Sequence, residues 1–337
     1  MKRDKIVFVP YVRSTVSSNQ SSNILMDVLR EKYEVVRWED VSTDISKIKR
    51  VKAIVLNWVE SNLTKEMKFK LMLYKIIGVS IIWVFHNRIP HDNKDKQNVK
   101  NMRWLSYISN YIMCYSKDSY KFVPVRLCRY KCRYVPHGHY MDKYKRYVED
   151  EVSNKFVFGL IGQIRPFKNI ELIIQAFKEI DIENTELFIA GDVKSKNRKY
   201  AEELKKACES ENNICIENRF IPDHEMDRYL NRIDVMVLPY SKISSMNSGV
   251  MMLALSFGKP VIISDISMAV DMKNQEFVYM YHYDREADHL ENLKITMKIV
   301  AEKGKKENQE AGKKAVEYLK IHNGKDKIME GFETMGL

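Results

Sequence analysis

The stretch Gly159–Phe177 reads Gly-Leu-Ile-Gly-Gln-Ile-Arg-Pro-Phe-Lys-Asn-Ile-Glu-Leu-Ile-Ile-Gln-Ala-Phe and decides the fold of the second half of the chain. Its pattern predicts an apolar strand that ends at Gly162 and a helix that begins at Asn169 with one apolar face. The turn between them brings Arg165 and Lys168 close to free backbone N–H groups, which suits an anionic ligand such as a diphosphate. The alternative is an ordinary strand-turn-helix unit whose two cations are simply solvated.

The bulk composition indicates a globular protein with an anionic partner. The chain has 337 residues, enough for two domains, and 45% of them are hydrophobic. A net charge of +11 favours a nucleotide, a nucleic acid or an acidic membrane surface without choosing among them. Five scattered cysteines and the absence of a secretory signal pattern predict reduced thiols in a cytoplasmic protein. No apolar run approaches the roughly 18 residues that a membrane span requires.

Strand and helix patterns alternate through both halves of the sequence. The alternation pauses in a short acidic and polar stretch around Tyr147–Asn154, then starts again at Phe156. This order predicts an α/β protein with two Rossmann-like, doubly wound domains that face each other across a cleft. The expected domains are residues 1–148 and 149–315, and a C-terminal helix at about 316–337 is expected to pack back on the first.

Two further turns in the second half are candidates for the same site as the turn 162–168. One is Ile-Ala-Gly-Asp at 189–192, and the other is Ser-Ser-Met-Asn-Ser-Gly at 244–249, which leads into a helix. A helix that opens after Ser-Gly presents unpaired N–H groups and the positive end of its dipole, so it can hold a phosphate group. Ser248 is equally suited to be a plain N-cap.

These motifs occur in a definite order. The segments are Gly-Gln-Ile-Arg-Pro-Phe-Lys-Asn (162–169), Phe-Ile-Ala-Gly-Asp (188–192), Phe-Ile-Pro (220–222), Asp-Val-Met-Val-Leu-Pro-Tyr (234–240) and Ser-Gly, then Ala-Leu-Ser-Phe-Gly-Lys-Pro-Val-Ile (248–262). Together they resemble the nucleotide-sugar-binding half of GT-B fold glycosyltransferases, most closely family four, the glycosyl transferases group 1. The first half resembles these enzymes more loosely, through Asn-Trp-Val-Glu (57–60), Val-Phe-His-Asn (84–87), Pro-His-Asp (90–92) and Val-Pro-His-Gly-His-Tyr (135–140).

The resemblance implies a donor site that uses no metal and no other cofactor. Two fixed cations and a helix N-terminus would stabilise the charge that develops on the leaving nucleoside diphosphate. By position, the implied diphosphate-binding residues are Arg165, Lys168, Ser248 and Gly249; those beside the nucleoside are Gly191, Phe220 and Ile221; those lining the cleft are Gly162, Asn87 and His137.

The sequence departs from the family pattern at two places that concern the donor. Family-four enzymes usually carry two glutamates flanking the segment before the last helix of the motif, and the corresponding positions here are Ser245 and Leu253. The usual arginine directly after the turn glycine is Gln163, with Arg165 two residues later. Sugar orientation and ribose contact are therefore open, and the chain represents either a divergent active branch or one that has lost activity.

Candidate catalytic residues lie in the first half. His86 directly follows a predicted strand, and in the resembling enzymes a histidine there contacts the donor sugar; a purely structural role is the alternative. Glu60 and Asp92 are candidates for a general base toward an acceptor hydroxyl, although loop carboxylates are commonly only solvated. The cysteines and histidines at 128, 132, 137 and 139 have no common zinc-ligand spacing, so no metal site is predicted.

Basic and aromatic residues recur between Lys94 and Tyr147 and in the predicted helix Lys65–Ile77. Such a region can settle on anionic lipid, with about 1 kcal/mol from each cation near the headgroups. We therefore expect a cytoplasmic protein, peripheral at the inner face of the cell membrane. For any single helix, a solvated face is the alternative.

Three functional hypotheses follow. The first is a hexosyltransferase that moves sugar from a UDP- or GDP-linked donor to a saccharide or lipid-linked saccharide in cell-surface polysaccharide biosynthesis. The second is a basic nucleic-acid-binding protein, but no such signature accompanies the charge, so nucleic acid is not expected as a partner. The third is an inactive glycosyltransferase-like partner in a membrane complex, suggested by Ser245 and Leu253. The sugar, the stereochemical outcome, the base and the oligomeric state remain open.

Overall fold

The computed structural model describes residues 3–10, 20–41, 50–88, 96–144, 154–241 and 245–337. The chain divides into two compact units: unit 1 comprises Met1–Gly138 with His322–Leu337, and unit 2 comprises His139–Ile321. The predicted domain boundary after residue 148 lies outside the described residues. Each unit contains its own parallel sheet, which confirms the predicted α/β class.

Unit 1 is built on a six-stranded sheet with the order β2-β1-β3-β4-β5-β6. Its strands are β1 (Lys5–Val9), β2 (Glu34–Val36), β3 (Val51–Asn57), β4 (Ser80–Val84), β5 (Tyr111–Cys114) and β6 (Cys132–Tyr134). Its described α-helices are α1 (Gln20–Lys32), α2 (Lys65–Ile76), α3 (Lys96–Ile108) and, from the C-terminal segment, α11 (Lys325–Glu333). Two 3-10 helices, Asp118–Phe122 and Arg126–Lys131, precede β6.

The strands of unit 1 are apolar because helices cover the sheet. In β3 only Lys52 is exposed. In β4 the four side chains that follow Ser80 are all buried. Such continuous runs of buried residues are typical of parallel sheets with both faces covered. Helix α11 packs against α1, and Asn323 Nδ2 donates to the carbonyl of His137 at 2.9 Å. The C-terminal segment is thus an integral part of unit 1.

Unit 2 repeats this architecture with the strand order β12-β11-β10-β7-β8-β9. Its strands are β7 (Phe156–Ile161), β8 (Thr185–Ala190), β9 (Ile214–Glu217), β10 (Val235–Leu238), β11 (Val261–Ser264) and β12 (Val278–Tyr281). Its described α-helices are α4 (Ile170–Ile180), α5 (Arg198–Ala207), α6 (Met226–Asn231), α7 (Gly249–Ser256), α8 (Ser267–Asp271), α9 (Glu286–Glu302) and α10 (Gly304–His322). Short 3-10 turns occur at Pro166–Lys168 and Ser195–Asn197.

None of the described helices combines the length and the apolar character needed to cross a bilayer.

Candidate functional site

The chain order of the strands in unit 2 changes direction between β7 and β10. Strands β8 and β9 continue from β7 on one side, while β11 and β12 continue from β10 on the other. In doubly wound sheets, ligands bind outside the carboxyl ends of the strands at such a switch point. The loops that flank it are 162–169 and 239–248, of which residues 242–244 are not described. The stretch predicted to bind an anion therefore lies at the place where this fold binds ligands.

Asn169 joins the two loops of the switch point. Its Nδ2 donates to the carbonyl of Pro239 at 2.8 Å. Its backbone is left-handed, with φ 51° and ψ 49°, a conformation that asparagine tolerates better than most residues. The residue ends the 3-10 turn Pro166–Lys168 and precedes α4, so it fixes the direction in which the chain leaves the turn.

Two glycines bring the ends of β7 and β8 together. Gly162 has φ +117°, which favours glycine, and its N–H donates to the carbonyl of Ala190 at 2.9 Å. A Cβ placed on Gly191 would lie 2.1 Å from the carbonyl oxygen of Gly162, so no larger residue fits there without movement. A Cβ on Gly162 would lie 3.1 Å from Lys168 Nζ. The end of the Lys168 side chain therefore lies against Gly162, whose position is fixed by its close contact with Gly191.

Lys168 is a buried cation that lies next to the half-buried Arg165. The Lys168 side chain is only 7% exposed. Its burial, and to a smaller extent the positive charge of Arg165, lowers the pKa of Lys168 to about 7. Within the described part of the chain no carboxylate pairs with Lys168, and the buried Nε of Arg165 has no hydrogen-bond partner. Because buried like charges are unfavourable until an anion joins them, this turn suits a ligand with more than one negative charge.

The first turn of α7 lies beside the cationic turn. A Cβ on Gly162 would lie 3.5 Å from Val250 Cγ2, which places the start of α7 next to Gly162. Ser248 is buried, and its Oγ accepts from the N–H of Met251 at 3.0 Å, so the hydroxyl serves as the N-cap. Gly249 is exposed, and a Cβ there would lie 3.2 Å from Tyr140 Oη. The helix thus offers backbone N–H groups, and Tyr140 adds a hydroxyl that the sequence patterns had not indicated.

The two positions at which family-four enzymes usually have glutamate are both buried here. Ser245 is 4% exposed and Leu253 is 8% exposed. The N–H of Ser245 donates to the carbonyl of Ser241 at 2.9 Å, so this residue is fixed by its backbone. Neither side chain supplies a carboxylate, and among the residues that the structure describes in the turn 162–169 the charged groups are Arg165 and Lys168.

The segment after β9 separates the two residues expected beside a nucleoside. Phe220 is half exposed, whereas Ile221 is buried. Next to them, Arg219 Nε donates to Tyr229 Oη at 2.8 Å, and its guanidinium pairs with Glu225. Phe220 is therefore the residue that presents an accessible ring, while the side chain of Ile221 belongs to the core.

The candidate residues of unit 1 lie at the carboxyl edge of its own sheet. His86 follows β4, is buried, and donates from Nε2 to Asn57 Oδ1 at the end of β3. Its ring stacks on Trp58, with centroids 3.7 Å apart and planes at 11°. Trp58 has φ +55°, a strained conformation for a bulky residue, and such strain is typical of functional sites. Asn57 is fixed in turn because its Nδ2 donates to Ser22 Oγ at 2.8 Å.

Tyr115 and His137 continue this row of rings. The Tyr115 ring lies 5.6 Å from that of His86 and 4.8 Å from that of His137. The Tyr115 hydroxyl hydrogen-bonds with Ser21 Oγ at 3.1 Å. Burial lowers the pKa of His137 to about 4, so this imidazole is neutral at physiological pH. The sequence patterns indicated the two histidines but not Trp58 or Tyr115, which each directly follow a strand.

The two candidate bases differ in what the structure says of them. Glu60 Oε1 accepts from the indole N–H of Trp83 at 2.9 Å, and burial raises the pKa of this carboxyl. Asp92 lies outside the described residues, and Asn87 is half-buried beside His86. In the part of the chain that the structure describes, no three His, Cys, Asp or Glu side chains are grouped to hold a metal ion.

The depressed pKa of Lys168 predicts how stability depends on pH. In the unfolded chain this lysine keeps its proton up to about pH 10.5, whereas in the folded protein it loses the proton near pH 7. The unfolded state therefore binds more protons in this window, and the free energy of unfolding should rise with pH across it. Urea unfolding at several pH values, compared with the Lys168→Met variant, measures the effect. Identical pH dependence of the two proteins would contradict it.

Comparison with solved structures places the chain in the GT-B fold class. One similar structure is HepE from Anabaena, crystallised with UDP and glucose. The two structures superpose with a TM-score of 0.72 at 13% identity, and the match covers 99% of this chain and 100% of HepE. For sucrose-phosphate synthase from Thermosynechococcus elongatus the TM-score is 0.73 at 12% identity, with 99% and 98% of the chains covered. At these identities the likeness concerns the fold.

The chain belongs to the glycosyl transferases group 1 family, whose sequence model matches residues 143–311. This confirms the family predicted from the motifs. Two curated relatives are GDP-mannose:glycolipid 4-beta-D-mannosyltransferases from Xanthomonas campestris pv. campestris, 23% identical over 226 residues and 24% identical over 192 residues. The matches cover 66% and 57% of this chain, but only 62% and 52% of the relatives.

Proposed function

We propose that the protein is a nucleotide-sugar-dependent glycosyltransferase whose donor diphosphate binds to Arg165 and Lys168. The observation that carries this proposal is the pair of cations at the switch point of unit 2, buried Lys168 and half-buried Arg165, beside the first turn of α7. Membership of the glycosyl transferases group 1 family supports it. The donor would be a sugar linked to UDP or GDP, since HepE was crystallised with UDP and the curated relatives use GDP-mannose.

The proposed chemistry is a substitution at the anomeric carbon of the donor sugar. The bond from that carbon to the phosphate oxygen breaks, and its electron pair leaves with the nucleoside diphosphate. The acceptor hydroxyl forms the new bond and gives up its proton. Arg165, Lys168 and the N–H groups of α7 would stabilise the charge on the leaving group, so the proposed reaction needs no metal ion. A bound diphosphate would also raise the pKa of Lys168 and keep the lysine protonated.

The residues at the carboxyl edge of the unit 1 sheet are proposed to contact the donor sugar and the acceptor. His86 is held by Asn57 and Trp58, so it offers an imidazole in a fixed orientation, which favours a role in contacting the donor sugar. Glu60 is less suited to act as base because one carboxylate oxygen accepts from Trp83. The glycolipid substrates of the curated relatives support a saccharide or lipid-linked acceptor. A cytoplasmic location at the inner face of the membrane, in cell-surface polysaccharide biosynthesis, would agree with such an acceptor.

A donor screen tests the proposal. Millimolar UDP or GDP should raise the melting temperature by several degrees, and the matching nucleotide sugar should transfer its sugar to a glycolipid in the presence of EDTA. His86→Ala should lower the transfer rate about 10-fold to 100-fold without weakening nucleotide binding, because it removes a positioning contact; the exposed His224→Ala serves as the control. A melting temperature unmoved by either nucleotide would contradict the proposal.

The same screen separates the competing hypotheses. Nucleotide binding without transfer over a broad acceptor panel would favour the inactive partner of a membrane complex. Steeply salt-dependent binding of an oligonucleotide, unaffected by nucleotide sugars, would favour the nucleic-acid-binding protein.

A further inference from the structure

Helix α2 carries an apolar stripe on its outer face. Phe69, Met72, Leu73, Ile76 and the following Ile77 are all exposed, from 42% for Met72 to 79% for Ile76. Counted from Phe69, the other four lie three, four, seven and eight residues further along the chain, so all five are on one side of the helix. The opposite side is buried through Leu71 and Tyr74, so α2 is apolar toward the core and toward the solvent. An exposed stripe of this kind marks an interaction surface.

The stripe continues onto neighbouring elements of unit 1. Lys75 donates to the carbonyl of Ile108, and Lys131 donates to the carbonyl of Tyr107 at 2.9 Å, so α2 and the 3-10 helix Arg126–Lys131 both meet the end of α3. Three further exposed apolar side chains lie there: Tyr107 on α3, and Leu127 and Tyr130 on the 3-10 helix. Together with the stripe, they form what we name the outer surface of unit 1.

The charge around the outer surface is strongly positive. Residues 96–134 contain nine lysines and arginines and a single acidic residue, Asp118. Lys100, Arg103 and Arg126 are exposed there. On α2 itself, Lys68 and Lys75 lie on one side of the stripe, while on the other side Lys70 pairs with Glu66 at 2.6 Å. Apolar side chains, tyrosines and surrounding cations are the combination that binds at the boundary between lipid headgroups and acyl chains.

We propose that the outer surface of unit 1 docks on an anionic membrane, with the stripe of α2 inserted among the headgroups and the cations on lipid phosphates. A second copy of the chain is less well matched, because it would bring the same positive charge against itself. A nucleic acid would use the cations but leave the apolar stripe exposed. The inference deepens the proposed function, since it names the surface that would bring a lipid-linked acceptor within reach.

Vesicle sedimentation without donor or acceptor tests this surface independently of catalysis. The full chain should sediment with phosphatidylcholine vesicles that contain phosphatidylglycerol, and weakly with phosphatidylcholine alone. Leu73→Glu with Ile76→Glu should reduce the binding constant at least about tenfold, because charges replace inserted side chains. Lys100→Glu with Arg103→Glu should reduce it at least about fivefold for each cation removed.

Matched controls lie on α9 of unit 2, where Ile295 and Ile299 are about half exposed and Lys298 is exposed. Ile295→Glu with Ile299→Glu, and Lys298→Glu alone, should leave vesicle binding unchanged. Equal losses in the control and test variants, or vesicle binding that does not depend on the anionic lipid, would overturn the proposal. So would loss of a dimer in light scattering on Leu73→Glu with Ile76→Glu while vesicle binding persists. Melting curves with UDP or GDP report the donor site separately.

Discussion

Lys168→Met is expected to raise the melting temperature of the ligand-free protein and to reduce its response to nucleotide. Methionine keeps an unbranched side chain of similar length without the buried charge. One pKa unit corresponds to about 1.4 kcal/mol, so lowering the pKa of this lysine from 10.5 to about 7 implies a cost on the order of 4 kcal/mol at neutral pH. The variant should recover much of that free energy, because it has no charge to bury.

Nucleotide binding should change in the opposite direction. A charge-assisted hydrogen bond contributes about 1.5–3 kcal/mol, so losing the lysine should weaken UDP or GDP binding about 10-fold to 100-fold. Arg165→Ala should produce a loss of similar size with a smaller gain in stability, because Arg165 is only half-buried. Urea unfolding and isothermal titration with both nucleotides measure the two effects.

The exposed Lys199 on α5 provides the control for this pair of measurements. Its side chain is 91% exposed, and it lies in the same unit. Lys199→Met should leave both the stability and the nucleotide affinity nearly unchanged. A Lys168→Met protein that is destabilised yet binds nucleotide normally would show that the lysine is structural. Donor binding that survives Arg165→Ala intact would likewise refute the assignment of the diphosphate site.

The elements with continuous buried apolar runs could be predicted from the sequence. The strand predicted before the turn at Gly162 is β7, which begins at Phe156 and ends at Ile161, where the apolar run leaves the sheet. β6 and β12 lack such runs. β6 has only three residues, the middle one Arg133, and β12 alternates tyrosine with other residues; their pairing with β5 and β11 is set by tertiary contacts.

The cationic turn could be predicted because its residues are neighbours in the sequence. The groups that hold it in place are distant in sequence: Asn169 bonds to Pro239, and Tyr140 lies beside Gly249. Local periodicity carries no information about such contacts. For the same reason, the sequence could not show that the Glu60 carboxylate accepts a hydrogen bond, because its partner Trp83 lies on β4.

The roles of adjacent residues are also hard to assign from a pattern. Phe220 and Ile221 are both apolar, and the sequence gives no sign of which one enters the core. The structure buries Ile221 and exposes Phe220 because the chain turns between β9 and α6. For Gly191, the resemblance indicated a place beside the nucleoside, while the structure adds a close backbone contact with Gly162 that requires glycine.

Gly191→Ala is expected to damage both the fold of unit 2 and its nucleotide site. The new Cβ would lie 2.1 Å from the carbonyl oxygen of Gly162, so the ends of β7 and β8 must move apart. That movement would disturb the hydrogen bonds from Gly162 to Ala190 and from Gly191 to Glu217, at 2.9 and 3.0 Å. Backbone overpacking of this kind costs about 3 kcal/mol. Because Lys168 rests against Gly162, nucleotide affinity should fall with stability.

Gly249→Ala provides the matched comparison, since among the described residues a Cβ there would meet only the Tyr140 hydroxyl, at 3.2 Å. Alanine favours a helix more than glycine by about 1 kcal/mol, so stability should hold or rise slightly. The added methyl group lies at the helix N-terminus, where the phosphate is proposed to bind, so nucleotide affinity should still decrease. Urea unfolding and nucleotide-induced shifts in melting temperature distinguish the two variants. If Gly191→Ala unfolded like the parent protein, the ends of β7 and β8 would have to be free to separate, and the cationic turn would lose the rigid support that makes it a preorganised diphosphate site.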